Sequence, residues 1–144
     1  MLRTKTMIIR LATNKDHPLL AEMNYQLIKD EGHSNPMNLS ELQDRMTSWL
    51  QGDYSAALID TESEIVGYAL WRIKKKHIYI RQFFVQPEHR QKHTGSMAIQ
   101  LLKQNHWKGR SLRIEVLINN YQGHSFWQSV GFEDYCLTMD CNNV

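Results

Sequence analysis

The chain has 144 residues, of which 42% are apolar and 22% charged, with a formal net charge of +2. That composition belongs to a globular protein long enough to bury a core without covalent staples, and we expect one domain over residues 1–144. The positive balance is too small for the basic stripe that nucleic-acid binding needs, yet it suits a polyanionic small ligand, so nucleic acid is not an expected partner.

Cys136 and Cys141 stand five residues apart, which on one strand points them to opposite faces and prevents a mutual bridge. Two free thiols fit a reducing compartment. The apolar stretch around Met7–Leu11 is too short for a secretory signal or a membrane span, so the expectation is a cytoplasmic protein without a membrane partner. Residues 1–6 read as a loose extension before the first element.

In chain order, Met7 to Leu11 reads as a short strand. Asp16 offers an N-cap and Pro18 a helix start. Leu20, Met23 and Leu27 then share one helical face, and Glu31-Gly32 closes the helix. Leu39, Leu42, Met46, Trp49 and Leu50 recur at three- and four-residue steps in a second helix, for which Asn38 or Ser40 is the candidate cap. From Tyr54 the period changes. Strands over 56–59, 65–73 and 78–85, separated by turns at 61–64 and 74–76, form an antiparallel meander. Ala98, Leu101 and Leu102 mark a helix ending near Gly109. A strand over 111–118, a helix over 120–130 and a final strand over 132–139 complete the chain. The predicted order is β-α-α-β-β-β-α-β-α-β: an α/β (α+β) fold with a mixed, mostly antiparallel sheet and helices on both faces.

The segment from Phe83 to Ser96 carries the chemistry. A buried strand ends at Pro87, a basic turn holding Arg90, Lys92 and His93 follows, and a helix begins near Thr94 or Gly95. The first N–H groups of a helix lack intrahelical partners and its dipole favours negative charge, so this is a site for a pyrophosphate. Read alone, the same residues also describe a solvated turn. Neither G-x-x-x-x-G-K-[ST] nor G-x-G-x-x-G occurs, which removes the usual sequence support for ATP hydrolysis and dinucleotide redox chemistry.

The run V-x-P-x-x-R-x-x-x-x-G, Val85 to Gly95, resembles the acyl-CoA motif of the GNAT superfamily of N-acetyltransferases. Asn120, Gly123, Phe126, Trp127, Gly131 and Phe132 resemble that family's second signature, N-x-x-A-x-x-F-Y-x-x-x-G-F, and the element order matches the family fold over nearly the whole chain. The resemblance implies acetyl-CoA as co-substrate and transfer of its acetyl group directly to a primary amine. It also implies roles. Backbone groups of Phe83, Phe84 and Val85 would pair with the pantetheine arm, an N–H there, that of Phe83, polarising the thioester carbonyl. Amides of Gln91, Lys92, His93, Thr94, Gly95 and Ser96 would cradle the pyrophosphate, Arg90 adding charge. Asn120 would contact the thiol end, with Phe126 and Trp127 beside it. A homodimer is open to proteins of this fold.

Two positions depart from the family pattern. His93 stands where glycine is usual, and Trp127 where a tyrosine is the proposed acid for the leaving thiolate. An indole N–H donates a hydrogen bond but gives up no proton at neutral pH, which leaves Tyr121, Tyr135 or water for that role. These departures keep a second reading open, an acyl-CoA binding module or sensor with little transfer. An amine attacks only when neutral, so a base is needed. Glu31 and His33, in the polar segment 30–36, are the candidates, and the alternative for them is a plain helix end and turn. Tyr79, Arg81, Gln82 and Glu115 are further residues placed to face an acceptor. His89 and His93 have a metal-like spacing but no third ligand, so no metal is expected.

Overall fold

The computed structural model describes residues 6–32 and 34–143. Nine regular elements follow one another: β1 (Met7–Leu11), α1 (His17–Asp30), α2 (Leu39–Gln51), β2 (Tyr54–Thr61), β3 (Glu64–Ile73), β4 (His77–Val85), α3 (Thr94–Asn105), β5 (Ser111–Ile114) and α4 (Tyr121–Ser129). The strands form one sheet in the order β1-β2-β3-β4-β5. Its first three pairings are antiparallel and β4–β5 is parallel. The expected fold class is therefore the observed one.

Strand alternation sorts the core into two layers. Ala56, Leu58, Tyr68, Leu70 and Phe84 face Leu20 and Met23 of α1 and Met46 of α2. Ala57, Ala69, Trp71, Ile78 and Ile80 face Ile99 and Leu102 of α3 together with Trp107 and Trp127. Helices therefore cover both faces, and a site on one side of the sheet communicates with the other only where the sheet opens.

Local capping explains the helix ends. Asn38 caps α2, its Oδ1 accepting from Glu41 N–H at 2.9 Å while Glu41 Oε1 accepts from Asn38 N–H at 3.1 Å. Gly32, at φ 66°, ends α1 in the left-handed region. Asp16 precedes α1 as expected but does not cap it with its side chain. Its carboxylate instead takes two hydrogen bonds from Arg10, at 2.9 and 3.0 Å, and one from Thr13 N–H at 2.7 Å. A bidentate guanidinium outcompetes a single backbone donor.

The final strand expected over 132–139 is absent: from Gly131 onward the described chain has no regular structure. β5 is also shorter than expected, ending at Ile114. The two departures have one cause. With a four-residue edge beside it, the last segment finds little backbone to pair with and is held by side chains. Tyr135 stacks under Arg113 at 4.5 Å and Asp134 accepts from His124 at 2.6 Å. Cys136 and Cys141 lie free and exposed on it. No described helix is long and apolar enough to cross a membrane. Residues 1–5 of the expected N-terminal extension lie outside the described residues.

The Arg10 guanidinium, helped by Thr13 N–H and opposed by burial, holds the Asp16 carboxyl down at about 2. A folded-state value below the unfolded one, roughly 3.9, gives stability that is complete above about pH 4 and fades as pH falls toward 2. Because the Arg10 side chain is 42% exposed, screening reduces the contribution to about 1–2 kcal/mol. Urea denaturation of Asp16→Asn is expected to show that loss at pH 7 and convergence with wild type near pH 2; a constant difference across this range would remove the pair as its cause.

Candidate active site

β4 and β5 run side by side only from His77↔Ser111 to Ile80↔Ile114. Beyond that register β4 continues for five residues, Arg81 to Val85, with β5 gone. On the other flank β3 still pairs with it through Gly67↔Val85. Gln86 N–H bonds Val66 O at 2.8 Å, and Phe84 directs its carbonyl at Gly67, where no side chain could fit. By the two-residue alternation of strand polar groups, Phe83 and Val85 turn theirs the opposite way, into the gap left by β5. Arg90 Nε already donates to Val85 O there, at 2.7 Å. A strand edge is thus opened toward the space between the layers while staying anchored on its far side.

The gap leads to the N-terminus of α3. The chain reaches it through a short 3-10 turn at Pro87–His89 and two left-handed residues, Gln91 at φ 60° and His93 at φ 63°. His93 is the N-cap residue, and no side chain caps the helix. The first intrahelical bond is Met97 N–H to His93 O, 3.0 Å, so the amides of Thr94, Gly95 and Ser96 have no intrahelical acceptor. The uncapped turn and the opened strand edge are neighbours: Gly95 lies against Phe126, whose ring stacks on Phe83 at 5.7 Å and an 11° tilt. A Cβ on Gly95 would come within 2.9 Å of that ring. His89 is paired with Glu64 at 3.5 Å, and the described residues contain no metal-binding cluster.

Several side chains take partners that sequence reasoning did not assign. Arg90, expected to lend charge to phosphates, also donates to Asp30 at 2.6 Å, so its charge is neutralised and it ties the turn to the end of α1. The nearest carboxylate wins the guanidinium. Asn120, expected at a thiol, spends its Oδ1 capping α4 through Gly123 N–H at 3.0 Å, with Gly123 leaving the room that side chain needs. Trp127 is a core residue, 7% exposed and edge-on to Phe83, Phe126 and Phe132. Lys92 is exposed on the turn.

The catalytic candidates do not converge on one point. Tyr79 donates to Glu115 Oε1 at 2.8 Å, where β4 and β5 are still joined, and burial together with Glu115 pushes its phenol up to about 12. Tyr121 is exposed in the first turn of α4, beside Asn120. Glu31 is the C-cap residue of α1, half-buried, and its charge acts on Tyr68. His33 lies outside the described residues. Sequence reasoning missed Tyr68 itself: fully buried, it donates to Gln82 Oε1 at 2.8 Å, and burial raises its phenol well above the usual value. Its only signal was a polar aromatic inside an apolar strand.

The left-handed geometry gives a direct test. His93→Gly is expected to be neutral or to stabilise by up to about 1 kcal/mol, whereas His93→Val should cost about 1–2 kcal/mol. Gly95→Val, driven into Phe126, should cost about 1–3 kcal/mol. Urea denaturation of the three variants checks this; a His93→Gly variant clearly weaker than wild type would contradict the turn geometry.

The comparisons agree with this architecture. The family model described as "Acetyltransferase (GNAT) family" matches residues 21–132. No curated protein matches the chain in sequence. Among solved structures, a "possible acetyltransferase" from Clostridium difficile 630 superposes with TM-score 0.76 at 17% identity, over 96% of this chain and 97% of that one. The aminoglycoside N-acetyltransferase AAC(6')-Iy, solved with CoA, gives TM-score 0.75 at 16% identity over 99% and 98%. An acetyltransferase from Thermus thermophilus gives 0.73 at 20% over 89% and 87%. These likenesses establish the fold. With the family model spanning most of the sequence, the chain belongs to the GNAT acetyltransferase family.

Proposed function

We propose that the protein transfers the acetyl group of acetyl-CoA directly to a primary amine. The observation that carries this reading is the opened edge of β4, Phe83 to Val85, lying beside the uncapped first turn of α3. A long ligand with amides in its middle and a pyrophosphate at one end matches that pair of features: extended backbone pairs with the former and helix N–H groups hold the latter. The residues present fit the group. In this reading it supplies a thioester as acetyl donor, and the Phe83 N–H stabilises the negative charge that develops on the carbonyl oxygen. Gln91 to Ser96 hold phosphate through backbone, so the engagement of Arg90 elsewhere does not remove the site. Arg90 is then a positioning residue for the turn.

Direct transfer needs no nucleophilic side chain, and the only cysteines lie exposed on the last segment, away from the gap. Glu31, at the end of α1, and His33 are the groups we assign to taking the amine proton. Tyr121 is the remaining tyrosine candidate beside the thiol end, Trp127 being buried. We propose a second copy as the partner for the exposed Tyr135, Leu137 and Met139, which alternate along the last segment, where Tyr135 lies against Arg113 of the edge strand β5.

Calorimetric titration with acetyl-CoA, followed by thiol release against a panel of amines, tests the transfer. Saturable binding with amine-dependent release is expected. Binding without release would transfer the assignment to an acyl-CoA sensor, and no binding would reject both. For the pairing, analytical ultracentrifugation is expected to give a dimer for the full chain and a monomer after truncation at Asp134; a monomeric full chain at all concentrations would reject it.

A further inference from the structure

On the face of the sheet covered by α1 and α2, two arginines meet on one ring. Arg45 comes from α2 and Arg81 from β4, and their guanidinium carbons lie 4.4 and 4.6 Å from the centre of the Trp49 ring. They are therefore no more than about 9 Å apart. Arg81 is the extra residue of a bulge, since Leu70 pairs with Gln82 and Trp71 with Ile80; Ile80 faces α3, and Arg81 and Gln82 both turn to the α1–α2 side. It donates to Tyr54 Oη at 3.3 Å and stays exposed.

Two like charges on one indole repel each other unless an anion joins them. Among the described residues the ion pairs are Arg10–Asp16, His89–Glu64, Arg90–Asp30 and His124–Asp134; none engages Arg45 or Arg81. Arg45 Nη2 donates to Asn24 Oδ1 at 3.2 Å. Its Nε, and Nδ2 of the fully buried Asn24, have no acceptor among the described residues. Burial and then the nearby Arg81 lower the Arg45 pKa, the signature of an uncompensated cation. Unsatisfied buried donors call for a group that accepts.

The cluster adjoins the gap. Arg81 precedes Phe83 by two residues, roughly 7 Å along a strand. Between them Gln82 accepts from Tyr68, which also feels the charges of Glu31 and Arg45. We propose that the acceptor amine carries an anionic group, carboxylate or phosphate, and that Arg45 and Arg81 bind this group against Trp49. The inference deepens the transfer reading and rests on it. It also sets this chain apart from the aminoglycoside acetyltransferase it resembles in fold, because two unpaired guanidiniums repel a polycationic acceptor.

Calorimetric titration of the full chain with 4-aminobutanoate, 4-aminobutan-1-ol, 1,4-diaminobutane and O-phosphoethanolamine tests the proposal without turnover. The anionic amines are expected to bind about tenfold or more tighter than the neutral and dicationic ones. The better of the two anions separates carboxylate from phosphate. Arg81→Gln and Arg45→Gln should each abolish the preference while leaving the acetyl-CoA Kd unchanged. Arg81 is exposed, so its variant decides the matter if Arg45→Gln fails to fold. Equal or tighter binding of the diamine, no binding of either anion, or a preference that survives Arg81→Gln would overturn the proposal. Thiol release with each amine, measured after acetyl-CoA is added, keeps the two readings apart. Anion preference without release from any amine removes the transfer and leaves the anion site, whereas release with the diamine alone does the reverse.

Discussion

Everything the site does depends on β5 stopping at Ile114 while β4 continues to Val85. An unpaired strand edge inside a protein is costly, because each buried N–H or C=O without a partner forfeits a hydrogen bond. Here the cost is reduced by Arg90, which satisfies Val85 O, and the opening is held by a wall of aromatic rings on its α3–α4 side: Phe83, Phe126, Trp127 and Phe132 in contact. Those rings are too large to let the layers close over the gap. The packing and the exposed backbone are two sides of one arrangement, which a ligand with its own amides would complete in the transfer reading we propose.

The loop that follows uses backbone rather than side-chain charge. Gln91 and His93 both adopt positive φ, which turns successive amides toward the helix start. Glycine would do this without steric cost, and histidine is among the residues that tolerate it best. The departure from glycine at His93 therefore leaves the geometry in place. The charged residues of the same loop are less informative than their number suggests. Arg90 and His89 are each already held by an acid, Asp30 and Glu64, and tether the loop to α1 and β3.

Much of the fold was legible in the sequence because it rests on local pattern. The three- and four-step apolar spacing gave α1 and α2, the meander followed from alternation and turn residues, and Asn38 or Ser40 marked the start of α2, which Asn38 caps. Val85 to Gly95 located the loop. What remained hidden depends on competition between distant groups. Nothing near Arg90 in sequence announces Asp30, sixty residues earlier. Asn120 reads as a ligand contact, and its capping of α4 through Gly123 N–H shows only in the three-dimensional start of that helix. The expected last strand failed because alternation in Tyr135, Leu137 and Met139 reports a capacity to pair, while pairing needs an edge that β5 does not extend far enough to give.

The arginine pair shows the same limit from the functional side. Arg45 and Arg81 are unremarkable charges on a helix and a strand, and their meaning comes from the Trp49 ring on which they meet. Ile80 faces α3, so alternation alone turns Arg81 to the α1–α2 side; the bulge lets Gln82 share that side and returns Phe83 to the face of α3 and α4. The bulge thus keeps Ile80 and Phe83 on one apolar face, while Arg81 sets a cation at the entrance to the opened strand. One strand serves both the packing of the core and, in the reading we propose, the charge an acceptor meets, and a fold shared with other acetyltransferases leaves that charge free to differ.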